Sequence, residues 1–281
     1  MSTGVLQKLD RAQKRSTTLS VAVATFKKFS EDQSANFAAM IAFWAFFSVF
    51  PLFLVLVTLL AIFLPASDKD SVLTHVAQLF PLLDPKTVSG LSGAWWTIVL
   101  GLATALWSGS GVVRTAQFAF NSVWGTEPDQ QPGLFKQMIR SISVLATVGL
   151  GLVITTLLSG LVASSASGVN LGAAGRVGGY VLSAALDIGI FLAAFRILTE
   201  RDVSTRDVLP GALLSGIAFF VLQELSTLII SRYLKNAQAT YGHFATVITI
   251  LWWFYLQSMI TLLGAQLNVV LKEHSYPRSL T

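Results

Sequence analysis

Long apolar segments alternate with short polar ones along this chain, and the first of them is the least interrupted. Residues 36–64 contain no charged side chain. As an α-helix, the apolar part at residues 38–64 would reach roughly 40 Å, whereas the hydrocarbon core of a bilayer is about 30 Å thick. The pattern predicts a first membrane-spanning helix that is long enough to tilt or bend.

A proline lies near the middle of this first segment. Pro51 has no amide hydrogen, and its ring clashes with the carbonyl four residues earlier, which belongs to Phe47. Ser48 lies one turn before the proline, where its hydroxyl can hydrogen-bond a freed carbonyl. We therefore expect a kinked helix, with Ser48 and Pro51 on the wall of any cavity beside it.

Five further segments have the length and composition of membrane-spanning helices. They lie at residues 94–113, 142–163, 177–198, 209–230 and 244–271. The predicted fold class is all-α, a polytopic membrane helix bundle with six transmembrane helices and short amphipathic interfacial helices. Residues 1–34 are predicted to form a basic arm and an amphipathic helix, residues 35–272 the transmembrane domain, and residues 273–281 a polar tail.

Amphipathic stretches and small residues refine this picture. Residues 19–29 and 72–83 are too short to span a bilayer and carry apolar side chains on one helical face, which is typical of interfacial helices. Small residues recur at every fourth position in the second and third spans, which favours close helix packing. The run Ser108-Gly109-Ser110-Gly111 predicts a bend in the second span, and residues 114–124 an amphipathic extension.

Composition supports a membrane protein. Only 12% of the residues are charged, about half the share in a soluble domain, so charge cannot cover the surface of a bundle of this size. The chain has no cysteine, which excludes disulfides and thiolate metal sites.

The distribution of Lys and Arg predicts the orientation. With six spans, one side of the membrane receives fourteen of the nineteen basic residues, namely Lys8, Arg11, Lys14, Arg15, Lys27, Lys28, Arg114, Lys136, Arg140, Arg196, Arg201, Arg206, Lys272 and Arg278. The other side receives Lys69, Lys86, Arg176, Arg232 and Lys235. Because the basic side is normally cytoplasmic, both termini are expected inside the cell. The positive net charge then requires no nucleic-acid partner.

Two acidic residues lie inside predicted spans. Asp187 is near the midpoint of the fourth span, with Tyr180 and Ser183 on the same helical face, and Glu224 is in the fifth. A carboxylate costs a few kcal/mol or more in hydrocarbon, so it normally faces the bundle or a water-filled cavity. Two interpretations stay open: the acids line a substrate or proton path, or they are hydrogen-bonded packing residues.

The last span carries a polar stripe, Gln257, Thr261 and Asn268. Such residues serve either as glue between helices or as the lining of a pore. A path between helices would thus be lined by Asp187 and Glu224 together with this stripe.

Several stretches resemble the YihY/BrkB family of bacterial inner-membrane proteins. The similarity lies in the order and spacing of Ser48-x-x-Pro51, Leu106-Trp107, Asn121 to Gly125, Arg206 to Gly211, Tyr241-Gly242 and Leu263 to Asn268. The resemblance implies about six helices and a multi-pass protein of the bacterial inner membrane. Family members have carried the label ribonuclease BN, and others have been linked to serum resistance or to export of envelope lipid.

A nuclease is disfavoured by the residues themselves. Metal-dependent RNA hydrolysis needs clustered histidine and carboxylate ligands, whereas His75, His243 and His274 are scattered along the chain. No G-x-x-x-x-G-K-[ST] motif occurs. We therefore expect no enzyme activity, cofactor, metal or nucleic-acid partner.

Two function classes remain. The first is a transporter or flippase for a lipid-like or small envelope solute. The second is a non-transporting scaffold for envelope assembly. The expected partners are membrane lipids, a lipid or small-molecule substrate, and a second copy of the chain or an envelope protein.

Overall fold

The computed structural model describes residues 13, 16–63, 95–126, 139, 142–144, 147, 151, 172–225 and 244–278. Regular structure in these ranges is helical, in agreement with the predicted all-α class. The helices are α1 (Thr17–Glu31), α2 (Ser34–Phe63), α3 (Trp95–Val123), α4 (Gly172–Leu198), α5 (Thr205–Glu224) and α6 (Phe244–Lys272).

Four helical segments in the described ranges are long and apolar enough to cross a membrane. They are Ser34–Pro51, Val177–Leu198, Thr205–Glu224 and Phe244–Lys272. The third predicted span, residues 142–163, lies mostly outside the described residues, although positions 142–144, 147 and 151 are helical. The predicted interfacial helix at residues 72–83 also lies outside them. Six spans and cytoplasmic termini stay predictions.

The break between the amphipathic helix and the first span is where the polar residues 31–34 predict it. α1 begins after Ser16, whose side chain accepts a hydrogen bond from the Leu19 amide. It ends at Glu31, and Gln33 then takes a φ of 53°, a conformation that an α-helix cannot continue. α2 begins at Ser34.

Pro51 lies inside α2, which continues through it to Phe63. The Ser48 hydroxyl donates to the Ala45 carbonyl at 2.7 Å. The serine thus bonds a carbonyl of the preceding turn rather than that of Phe47. The bend at Pro51 stays a prediction.

The predicted second span and its amphipathic extension form one helix, α3. The run at 108–111 is helical, and the Ser108 hydroxyl donates to the Thr104 carbonyl at 2.8 Å. The bend in this run stays a prediction. The helix ends where Gly125 adopts a φ of 65° and the Thr126 amide bonds the Asn121 carbonyl at 2.9 Å. This is a glycine-terminated helix end.

α5 starts earlier than predicted, at Thr205 rather than at residue 209. Ser204 and Asp207 form a capping box, in which each side chain accepts a hydrogen bond from the other's backbone amide. This cap fixes the first turn ahead of Pro210, which therefore lies in the second turn. α5 ends at Glu224, with Leu225 as its cap, and residues 226–230 of the predicted span lie outside the described part.

The chain divides into two compact units. One contains Met1–Ala39, Val113–Leu225 and Leu256–Thr281, and the other contains Met40–Val112 and Ser226–Tyr255. The boundaries of these units differ from residues 34 and 272, the predicted limits of the transmembrane domain. Those limits stay predictions. In the second unit, Trp44 packs edge-to-face on Trp107 with ring centroids 5.6 Å apart, and Gly111 lies against the Trp44 indole.

In the first unit, α4, α5 and α6 cross through small residues. A Cβ on Gly216 of α5 would lie 2.7 Å from the Ile188 Cα of α4. A Cβ on Gly264 of α6 would lie 2.7 Å from the Gly211 carbonyl oxygen of α5. Glycine therefore lets these helix backbones approach, as in other close membrane-helix crossings.

This crossing predicts that alanine substitution at two glycines of the bundle has different effects on the free energy of unfolding. Gly216→Ala should lower the free energy of unfolding by about 1–3 kcal/mol, because the added methyl meets backbone atoms that cannot yield. Gly189→Ala, at a helical glycine with no described atom within 4 Å of the added carbon, should be neutral or slightly stabilising. Thermal unfolding of the purified protein in detergent measures both, and equal melting temperatures would contradict the close crossing.

The predicted orientation can be tested because the chain has no cysteine. Asp202→Cys should react with a membrane-impermeant maleimide only after permeabilisation of spheroplasts, whereas Lys69→Cys should react in intact ones. The reverse pattern would place both termini outside.

Candidate functional site

The most unusual side chain in the described part is Asp187 of α4. It lies inside the apolar segment Val177–Leu198 and is only 1% exposed. Neither carboxylate oxygen has a hydrogen-bond partner among the described residues. Ser183, one turn earlier on the same face, is also buried. A buried carboxylate without a donor is costly, which makes Asp187 the strongest candidate for a functional position in the described part.

The neighbours of Asp187 in sequence make close helix contacts. Ile188 lies against Gly216 of α5, as described above. Ile190 lies against Gly151, where an added Cβ would be 2.6 Å from the Ile190 Cγ1. Gly151 belongs to the third predicted span. Asp187 is therefore at a level where α4 packs tightly on α5 and on this segment.

The other residues of α4 and α5 that were predicted to line a path, Tyr180 and Glu224, have different surroundings. Tyr180 is half-exposed, and its ring packs edge-to-face on Phe220 with centroids 6.1 Å apart. Glu224 is the last residue of α5 and is exposed. Among the predicted residues of these two helices, the structure buries Ser183 and Asp187 together but neither Tyr180 nor Glu224. That Tyr180 and Glu224 line a path with Asp187 stays a prediction.

The polar stripe on α6 makes bonds within the helix and to α5. Thr261 donates to the Gln257 carbonyl at 2.8 Å. Asn268 is buried, and its side-chain oxygen accepts from the Gly211 amide at 2.6 Å, next to Pro210. Asn268 therefore joins α6 to α5 by a hydrogen bond, which favours a role in helix packing. Gln257 is half-buried.

Ser48 and Pro51 belong to the other compact unit. Their place on the wall of a cavity with Asp187 stays a prediction.

Sequence reasoning missed a polar cluster at one end of the helices. Lys28 of α1 is buried, and its Nζ donates to the Asp32 carboxylate at 2.5 Å and to the Val123 carbonyl of α3 at 3.0 Å. Gln266 of α6 donates to Asp32 and to the Ser34 hydroxyl, both at 2.9 Å. The end cluster, as we call these five residues, joins α1, α2, α3 and α6.

Further polar bonds lie at the same helix ends. Arg201, in the α4–α5 loop, donates to the Trp124 carbonyl at 3.2 Å and to Glu273 at 3.1 Å. The Asn121 side chain accepts from the Glu200 amide at 3.1 Å, and Lys272 pairs with Asp207 at 2.7 Å. Arg201 and, from the end cluster, Lys28 thus supply donors to the Trp124 and Val123 carbonyls at the end of α3, where no further helical turn can satisfy them.

One feature of the sequence could have indicated the end cluster. Gln266 and Asn121 are amides in otherwise apolar helices, and both lie in stretches that carry the resemblance to the YihY/BrkB family. Buried amides need partners. The identity of those partners was not visible, because Gln266 and Asp32 are 234 positions apart.

Within the described ranges, no group of three His, Asp or Glu residues could hold a metal ion. His274 is exposed and stacks on Tyr276, while His75 and His243 lie outside the described residues. The expected lack of enzyme activity stays a prediction.

Comparison with known proteins decides the family. A family model for the virulence factor BrkB matches residues 25–280. The chain belongs to the BrkB family. This confirms the resemblance seen in the sequence, and it identifies the chain as a membrane protein, since relatives carry the name UPF0761 membrane protein.

Two relatives illustrate the range of names. A putative ribonuclease-like protein YfkH of Bacillus subtilis is 26% identical over 265 residues, covering 88% of this chain and 94% of the relative. A UPF0761 membrane protein of Pseudomonas aeruginosa is 26% identical over 254 residues, covering 85% of this chain. The chain spans 60% of the length of that relative. No solved structure matches the chain.

The end cluster predicts unequal effects for two adjacent lysines. Lys28→Met leaves the Asp32 carboxylate and the Val123 carbonyl without their cation and should lower the free energy of unfolding by about 1–3 kcal/mol. Lys27, paired with Glu31 at 3.8 Å on the surface, is the matched control, and Lys27→Met should cost about 0.5 kcal/mol or less. Thermal unfolding in detergent compares them. A Lys27→Met effect as large as that of Lys28→Met would contradict the role of the cluster.

Proposed function

We propose that this BrkB-family membrane protein is a transporter or flippase of the bacterial inner membrane. Its cargo is a lipid-like or small envelope solute, and its path passes Asp187. The observation that supports this is the burial of Asp187 in an apolar helical segment with both oxygens unpartnered among the described residues. A packing residue at such a position would be expected to bond a neighbour, since unpaired burial of a polar group is costly.

In this proposal, Asp187 receives a hydrogen-bond donor or cation of the cargo, or carries a proton, while Ser183 supplies a hydroxyl one turn away. Both side chains lie on one face of α4. Energy from ATP would need a partner chain, and coupling to protons through Asp187 needs none.

A scaffold for envelope assembly is the second candidate. The observation that favours it is the density of bonds that join the helices of the first unit, including the Asn268–Gly211 bond and the end cluster. A closed and dry bundle would serve to recruit a partner rather than to move a solute.

Transport assays separate the two. The full chain is reconstituted into vesicles with a fluorescent phosphatidylglycerol, and dithionite quenching reports movement between leaflets. Wild type should move the probe, and Asp187→Asn should slow the initial rate on the order of tenfold, a loss of about 1.4 kcal/mol in transition-state stabilisation. Asp202→Asn, an exposed loop acid, is the control and should leave the rate unchanged.

A full rate in Asp187→Asn would remove the carboxylate from the path. If wild-type vesicles move neither this probe nor a panel of small envelope solutes, while the protein captures an envelope partner, the scaffold is favoured instead.

A further inference from the structure

An apolar groove separate from Asp187 lies between α1, α5 and α6. It has a volume of about 350 Å³, which is within the range of small-molecule sites. Its walls include Val21, Ala22 and Phe26 of α1, Leu214 and Ala218 of α5, and Leu263 of α6. All three helices belong to the first compact unit in this region.

The groove opens beside exposed apolar side chains, which in a membrane protein meet the hydrocarbon phase. Phe26 is 63% exposed, although a phenylalanine on a packed helix would normally be covered. On α5, inside the apolar segment Thr205–Glu224, the exposed residues Leu213 and Ile217 continue the wall formed by Leu214 and Ala218. The occupant of the groove therefore comes from the hydrocarbon phase that touches these residues.

A cation lies at the correct end of the groove for a phospholipid. Arg206, in the first turn of α5, is exposed and makes no hydrogen bond or ion pair with a described residue. It precedes Leu214 by two turns, about 12 Å along the helix axis. Arginine is well suited to bind phosphate. Apolar walls with a cation at the helix end match an acyl chain attached to an anionic headgroup.

The chemistry of the walls favours an acyl chain as the occupant. The side chains that line the groove are almost all apolar. An extended acyl chain is narrower than a helix, which is about 10 Å wide, and needs no hydrogen-bond partner from the walls.

We propose that this groove binds an acyl chain of an anionic phospholipid, whose phosphate is bound by Arg206. The lipid lies beneath the amphipathic helix and fills the space between α1 and the pair α5–α6. It would thereby add to the contacts of the end cluster that hold α1 against the bundle. This site is independent of the proposed transport past Asp187.

Photolabelling tests the proposal. The full chain is reconstituted in phosphatidylcholine vesicles that contain phosphatidylglycerol with a diazirine on its acyl chain, and labelled residues are mapped by mass spectrometry. Labels should concentrate in residues 18–26, 214–218 and 260–267. Ala22→Trp and Ala218→Trp, which fill the groove from two different helices, should each lower labelling of the other walls about fivefold or more.

The control is Val181→Trp, at a residue of α4 that is 64% exposed and outside the groove, and it should leave labelling unchanged. Arg206→Gln should lower labelling by the phosphatidylglycerol probe severalfold but not by a matching phosphatidylcholine probe. Monodisperse elution in detergent checks folding of each variant, and the wild-type map decides the matter if neither tryptophan variant folds.

Three results would overturn the proposal. The first is even labelling over all exposed apolar residues of wild type. The second is labelling that the tryptophan variants leave unchanged. The third is a crosslink from Phe26 of one copy to α5 of a second copy in place of lipid, which would make the groove an interface between copies of the chain.

Discussion

The bond between Lys28 and Asp32 organises one end of this protein. A lysine taken out of water must find an anion and further acceptors, and here Asp32 and the Val123 carbonyl supply them. Asp32 in turn accepts from Gln266, which brings α6 to the turn between α1 and α2. Because Val123 belongs to α3 and Gln266 to α6, the pair fixes the amphipathic helix against the ends of the spans. The groove between α1, α5 and α6 exists only while α1 is held there.

Asp187 has the opposite character. The charges of the end cluster lie at helix ends and are satisfied by several neighbours, whereas Asp187 lies within an apolar segment and finds no described partner. The contacts of its neighbours in sequence, Ile188 on Gly216 and Ile190 on Gly151, are close and pack α4 tightly at this level. A protein that keeps a carboxylate in such a position gives up stability there, and functional sites are the usual reason for this.

The apolar pattern was sufficient to predict helices and their approximate ends, since hydrocarbon permits few alternatives. The end of the last span was predicted to within one residue, and the break at residues 31–34 was correct. Local chemistry caused the error at the start of α5, where the Ser204–Asp207 cap begins the helix before Pro210. The bend at residues 108–111 stays a prediction. The end cluster and the Asn268–Gly211 bond were not predictable from a single sequence, because they join residues far apart in the chain. The sequence left open whether Asn268 joins two helices or lines a pore. Its bond to the Gly211 amide favours the first interpretation.

The most direct measurement is a high-resolution density map of the full chain in lipid nanodiscs, centred on Asp187. If the path passes Asp187, the map should show density that is not protein within hydrogen-bonding distance of the carboxylate. That density could be water, an ion or the headgroup of the cargo. A dry and closed helix contact, in which both oxygens of Asp187 accept hydrogen bonds from the protein itself, would contradict that path.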